Sequence, residues 1–66
     1  MSITVNGNPR DVEPGTTVGA LVDADAPDRR GVAVAVDGDV VPRAAWDDTP
    51  LAEGARVEIV AAAQGG

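Results

Sequence analysis

The stretch "ITVNGNP", residues 3–9, decides the fold, because it combines an alternating strand pattern with the strongest short hairpin signal. Ile3 and Val5 fall on one face of a strand, since side chains alternate along an extended backbone. The Asn6-Gly7 pair predicts a two-residue turn, because both residues tolerate a positive φ. The chain therefore begins with an antiparallel pair of strands.

A short helix is the next element. The run "PGTT", residues 14–17, predicts a turn and a helix N-cap, where a threonine hydroxyl accepts a free backbone N–H. Val18, Leu21 and Val22 recur at i, i+3 and i+4, which gives the helix one apolar stripe.

The second half of the chain predicts further strands. The apolar run "VAVAV", residues 32–36, indicates a central strand whose two faces both meet apolar or small groups. Asp37-Gly38 predicts another tight turn, and Pro42 ends the pairing of the strand that returns. The predicted elements are a strand at 1–5, a strand at 8–13, a helix that starts near 18 and ends between 23 and 27, a polar loop at 28–31, strands at 32–36 and 40–41, a short irregular segment at 43–49, a turn-rich link at 50–54 and a strand at 56–61.

This order predicts an α+β domain. A hairpin followed by a helix that crosses the sheet, and then by further strands, suggests the β-grasp arrangement seen in ubiquitin, a mixed sheet with one helix packed on one face. Pro9 predicts an edge position for the second strand, and Val12 a contact with the core. We expect one domain over residues 1–66, with residues 63–66 as a flexible tail. The larger core residues are expected to be Ile3, Leu21, Trp46, Leu51 and Ile59.

Composition limits the function. The chain has 66 residues and no cysteine, so its core must come from hydrocarbon alone. The formal charge of −6 argues against nucleic acid and anionic membranes as partners and favours a partner with a basic or neutral docking face. Because no long apolar stretch or signal-peptide pattern occurs, we expect a cytoplasmic protein.

The side chains do not suit an enzyme. The chain lacks His, Cys, Lys and Tyr, which removes the usual general bases and nucleophiles. Paired acids at residues 23–25, 37–39 and 47–48 do not follow the calcium-loop pattern and are assigned to turns and solvated loops. No phosphate-binding glycine-lysine pattern occurs either. We therefore expect no metal or cofactor bound by this chain.

The reactive group we expect is the carboxylate of Gly66, in the final run "VAAAQGG", residues 60–66. Joining that carboxylate to AMP gives a mixed anhydride, which sulfide or a persulfide can attack to form a thiocarboxylate. Gly65 and Gly66 lack a Cβ, so backbone and nucleotide can approach each other closely in a narrow site. The alternative is a frayed end whose two glycines have no function.

Four segments carry a resemblance to a known family: "VNGNPRDVEPGTTVGALV", "GVAVAVDGDVVPRAAW", "LAEGARVEIV" and the final "QGG". Together they resemble the sulfur carrier proteins of thiamine biosynthesis, the ThiS type. The most specific pieces are residues 40–46 and 53–60 and the final diglycine. Ala55 departs from the pattern, because the family commonly carries an acid at that position.

The resemblance implies a β-grasp fold and a reaction cycle. A ThiF-type enzyme would use ATP to adenylate Gly66, and sulfur from cysteine, passed through a desulfurase persulfide, would give the thiocarboxylate. A ThiG-type thiazole synthase would then receive the sulfur. Gly65 and Gln64 would belong to the tail that reaches the enzyme. A carrier for another pathway, such as the small subunit of molybdopterin synthase, and a ubiquitin-like interaction domain or modifier remain alternatives.

A docking surface follows from alternation. If Val34 and Val57 face the helix, then Ala33, Ala35 and Val60 turn to the other face of the sheet, which this fold leaves uncovered. These small apolar residues would form a recognition patch for a partner next to the tail. The alternative is that alanine merely fits a crowded strand. We assign Trp46 to the end of the core, and Arg43 to the surface or to a loop contact.

Overall fold

The computed structural model describes residues 1–26 and 31–61. Within these residues the chain forms five strands, one α-helix and one 3-10 helix. In chain order the elements are β1 (Ser2–Val5), β2 (Asn8–Asp11), α1 (Val18–Asp25), β3 (Val32–Val36), β4 (Asp39–Val41), the 3-10 helix (Arg43–Asp48) and β5 (Arg56–Ala61).

The five strands form one mixed sheet in the order β2-β1-β5-β3-β4. β1 and β5 run parallel, and the other neighbours are antiparallel. This arrangement confirms the α+β, β-grasp prediction, and Pro9 does lie in an edge strand. The prediction for residues 32–36 was only partly right. β3 has neighbours on both sides, but β5 holds the middle of the sheet and only Val34 of β3 is fully buried.

The helix forms where its cap and its stripe predict it. Thr17 is the N-cap, and its side chain accepts a hydrogen bond from the Ala20 N–H at 3.1 Å. Burial of Val18, Leu21 and Val22 then fixes the apolar stripe against the sheet. The helix ends at Asp25, within the predicted range. Residues 28–30 of the predicted polar loop at 28–31 lie outside the described residues.

The core is small, and Trp46 is the largest of its fully buried side chains. This side chain is 1% exposed, and its indole N–H donates to the Val41 carbonyl at 2.9 Å. Ile59, expected as a core residue, is only partly buried, and Val12 packs against the core as predicted. Ala55 closes the turn over residues 52–55, and its side chain is 3% exposed, so the departure from the family pattern lies inside the core. The buried apolar residues are Ile3, Val5, Val18, Leu21, Val22, Val34, Trp46, Leu51, Ala55 and Val57.

Both predicted hairpin turns are present. Asn6 and Gly7 have φ of 53° and 85°, and Asp37 and Gly38 have φ of 51° and 89°. Positive φ at both central residues matches the right-handed twist of the strands that the turn joins. The second turn pairs Val36 with Asp39 and so sets the register of β3 against β4.

Candidate functional site

The two faces of β3 and β5 have opposite surroundings. Val34 and Val57 are 1% and 0% exposed and lie in the core below the helix. Ala33 of β3 and Val60 of β5 pair with each other across the two strands, and their side chains point to the opposite face of the sheet. Ala35 lies on that same face, opposite Glu58. The structure therefore places all three predicted patch residues, Ala33, Ala35 and Val60, on the face away from the helix.

A fourth residue belongs to the same surface. Val40 pairs with Ala35 across the β3–β4 hairpin and is 74% exposed, and Val60 is 55% exposed. Val40 was not predicted as a site residue. A two-residue turn at Asp37-Gly38 pairs positions 36 and 39, and hence 35 and 40, so the sequence did contain this information. We call Ala33, Ala35, Val40 and Val60 the outer-face patch.

One acidic and one basic side chain of β5 share the outer face with the outer-face patch. Exposed Glu58 lies opposite Ala35, and exposed Arg56 lies at the start of β5, opposite Thr4 of β1. The two side chains carry opposite charges and share the outer face, because they are two residues apart in a strand. The outer-face patch is therefore an apolar surface whose two charged neighbours have opposite signs, and such a surface suits contact with a protein.

The outer-face patch lies where the described part of β5 ends. Ala61, the last described residue, pairs with Val32 at the end of the β3–β5 ladder. The predicted tail residues Gln64, Gly65 and Gly66, and the predicted flexible tail at 63–66, lie outside the described residues. Within the described residues, the Ala33–Val60 pair of the outer-face patch is thus next to the last pair of the β3–β5 ladder.

The described residues offer little catalytic chemistry. Residues 1–26 and 31–61 contain no buried charged side chain and no group of three acids that could hold a metal ion. Asp37 has the turn role assigned to it, with a positive φ and a side chain that accepts from the Arg56 N–H. A shallow groove of about 670 Å³ between Val12 and Ala20 lies at the β2 edge of the sheet, away from the outer-face patch.

Packing explains two residues of the motif "VVPRAAW", residues 40–46: Trp46 is buried in the core and Val41 packs against it, whereas Val40 belongs to the outer-face patch. Pro42 precedes the 3-10 helix, and Trp46 donates back to the Val41 carbonyl. The Arg43 guanidinium lies 5.7 Å from the centroid of the Trp46 ring, within the range of a cation–π contact. Trp46 therefore links the 3-10 helix to the end of β4, and Arg43 covers the Trp46 ring within the same helix.

No helix in the described part of the chain is long and apolar enough to cross a membrane.

Comparison with known proteins identifies the family. The ThiS family matches residues 3–66 of the chain. The crystal structure of a thiamine biosynthesis protein (ThiS) from Geobacter metallireducens is similar, with a TM-score of 0.86, 33% sequence identity and complete coverage of both chains. An NMR solution structure of a thiamine biosynthesis protein from Geobacter metallireducens gives a TM-score of 0.77 at 33% identity, and the match covers 100% of this chain and 88% of that one. No match was found among curated proteins. The chain belongs to the ThiS family, whose members are small sulfur carrier proteins of thiamine biosynthesis and not enzymes.

Proposed function

We propose that the chain carries sulfur as a thiocarboxylate on Gly66. A ThiF-type enzyme adenylates this glycine with ATP, and a ThiG-type thiazole synthase receives the sulfur in the cytoplasm. The observation that carries the proposal is that the family match runs through Gly65 and Gly66. The described residues support it, because the exposed Val40 and Val60 leave an apolar surface for contact with a partner.

The proposed chemistry uses the main chain. The Gly66 carboxylate attacks the α-phosphorus of ATP, and pyrophosphate leaves. Sulfide attacks the carbonyl of the resulting acyl adenylate, AMP leaves, and the thiocarboxylate remains. When a persulfide is the attacking group, the product is an acyl disulfide, and a thiol then reduces its S–S bond to release the thiocarboxylate. Glycine at both final positions leaves the carbonyl open to this attack.

In this proposal the partner enzyme binds the folded part of the chain, and the tail enters the enzyme's active site. We take residues 1–66 as one domain, with residues 63–66 as the segment that enters the partner's active site. The outer-face patch supports docking, since an enzyme that covers Val40 and Val60 would bury apolar side chains that the fold leaves in water. The small side chains of Ala33 and Ala35 let a partner approach the sheet closely.

Mass spectrometry of the intact chain tests this proposal. The chain is incubated with a ThiF-type activating enzyme, ATP and sulfide, and we expect the mass gain that replaces one oxygen by sulfur. A variant without Gly65 and Gly66 should fold normally and gain no sulfur. A second variant with one alanine added after Gly66 keeps the diglycine but moves the carboxylate, and it should also remain unloaded. Sulfur loading of either variant at the wild-type rate would overturn the proposal.

A further inference from the structure

The parallel pairing of β1 and β5 ends before β5 does. Thr4 pairs with Arg56 and Val5 with Val57, and the Asn6 N–H still donates to the Val57 carbonyl at 2.8 Å. The chain then turns away at Asn6-Gly7 into β2. The β1 backbone therefore cannot pair with the last residues of β5.

The Asn6 side chain takes the place of that missing backbone. Its Nδ2 donates to the Ile59 carbonyl at 3.0 Å, and its Oδ1 accepts from the Ile59 N–H at 2.8 Å. The two bonds reproduce the donor and acceptor that a neighbouring strand would present to one residue. Ile59 is thus held on one side by β3 and on the other by a carboxamide.

We propose that Asn6 is a positioning residue for loading of the tail. By holding Ile59, it keeps the end of β5 extended and fixes the direction in which the chain continues beyond Ala61. This inference rests on the proposed function, because the direction matters only if Gly66 must enter an enzyme. If the end of β5 is held in one direction, the tail that follows it loses less conformational entropy when it enters the narrow active site of the enzyme.

The contact requires asparagine in particular. Only a carboxamide offers both a donor and an acceptor at this length, since aspartate would place a negative oxygen against the Ile59 carbonyl. Asparagine also tolerates the φ of 53° that the turn imposes on this position. The exposure of Asn6 means that the contact does not serve the core.

The other hairpin provides a matched control. Asp37 occupies the same position in its turn, with a φ of 51°. Its Oδ1 accepts from the Arg56 N–H at 2.9 Å, and its own N–H donates to the Arg56 carbonyl at 2.8 Å. Each turn thus bonds β5 through its first side chain, but Asp37 does so where β5 begins and Asn6 near where it ends.

The test compares Asn6→Gly with Asp37→Gly in the full chain. Glycine accepts the positive φ, so each variant loses a side chain without backbone strain. NMR hydrogen exchange of the Ile59 amide and the kcat/KM for loading by a ThiF-type enzyme are measured, with thermal unfolding as the stability readout. We expect about tenfold faster exchange at Ile59 in Asn6→Gly only, because a single hydrogen bond is lost there. We also expect a several-fold lower kcat/KM for this variant, whereas Asp37→Gly should load like the wild type.

Unchanged Ile59 exchange in Asn6→Gly would overturn the inference, as would faster exchange accompanied by equal loading of both variants. An equal loss of loading in both variants would also overturn it, since that result follows from general destabilisation. Wild-type chain that gains no sulfur would instead overturn the proposed function. The exchange measurement uses no enzyme, so it still decides whether Asn6 holds the end of β5.

Discussion

The two faces of the sheet contain the same kinds of residue in opposite environments. On the inner face Val34 and Val57 are almost completely buried, while on the outer face Val40 and Val60 are 74% and 55% exposed. The residue type therefore does not decide on which face a valine lies. The pairing register and the alternation of side chains along each strand decide it. Water contact at Val40 and Val60 is costly for the folded chain by itself, so packing within the domain does not explain the outer-face patch.

The energetics of the two faces differ accordingly. Full burial of a valine side chain stabilises a fold by about 1.5–3 kcal/mol. The inner valines obtain this contribution on folding, and the outer valines obtain only part of it. Docking of a partner would supply the remainder. The inner face should therefore govern stability, and the outer face should govern association.

The largest expected effect comes from a charge on the inner face. Val57→Asp places an unpaired carboxylate at a position that is fully buried, and we expect a loss of more than about 3 kcal/mol of unfolding free energy. Glu58→Gln, the neighbouring residue on the exposed face, should change it by less than about 0.5 kcal/mol. Urea unfolding followed by Trp46 fluorescence measures both. Similar effects for the two variants would contradict the assignment of faces.

A smaller effect is expected where the inner face meets the 3-10 helix. Trp46→Phe removes the hydrogen bond to the Val41 carbonyl and part of the ring that fills the core, so we expect a loss of about 2 kcal/mol. Arg43→Gln removes only the contact with the face of that ring and should cost less than about 1 kcal/mol. Urea unfolding followed by far-UV circular dichroism compares them. A larger loss in Arg43→Gln would show that the guanidinium does more than cover the ring.

Outer-face substitutions should affect loading more than stability. Val60→Glu and Ala35→Glu place a charge in the outer-face patch, and we expect each to lower kcat/KM for loading about tenfold while the fold is kept. Thr4→Glu adds the same charge to the same face, but in β1, outside the patch, and should load almost normally. The loading assay, with circular dichroism as the folding control, makes the comparison. Normal loading of both patch variants would rule out the patch as the docking surface.

Much of the fold could be predicted because its determinants are local. Asn6-Gly7 fixed the first hairpin, and Thr17 capped the helix through its own hydroxyl. The middle strand could not be identified in this way. An apolar run reports the burial of a strand, whereas its position in the sheet depends on pairing between residues far apart, such as Val5 with Val57.

The candidate site, like the fold, could be predicted only in part. Alternation placed Ala33, Ala35 and Val60 on the outer face, and Val40 was overlooked although the turn fixes its register. The Asn6–Ile59 contact could not be read from the sequence, because it joins the two ends of the chain through a side chain. Burial of the Ala55 side chain, which is 3% exposed, could not be read from the sequence either, because it depends on the core that folds over the turn at residues 52–55.

The smallest expected effect concerns an ion pair at the β2 edge of the inner face, where Arg10 lies opposite Ile3. Arg10 of β2 and Asp25 at the end of α1 lie 2.8 Å apart with both side chains partly exposed, so Arg10→Gln should cost less than about 1 kcal/mol. The hydrogen bond with Asp25, and then its charge, raise the pKa of Arg10 above its usual value. A raised pKa gives stability that is fully present while the arginine is protonated in both the folded and the unfolded chain, and that is lost only as the pH rises through the raised pKa. The difference in urea midpoint between Arg10→Gln and the wild type should therefore stay constant from about pH 6 to pH 9. A difference that changes across this interval would show that the loss at Arg10 comes from another titrating contact.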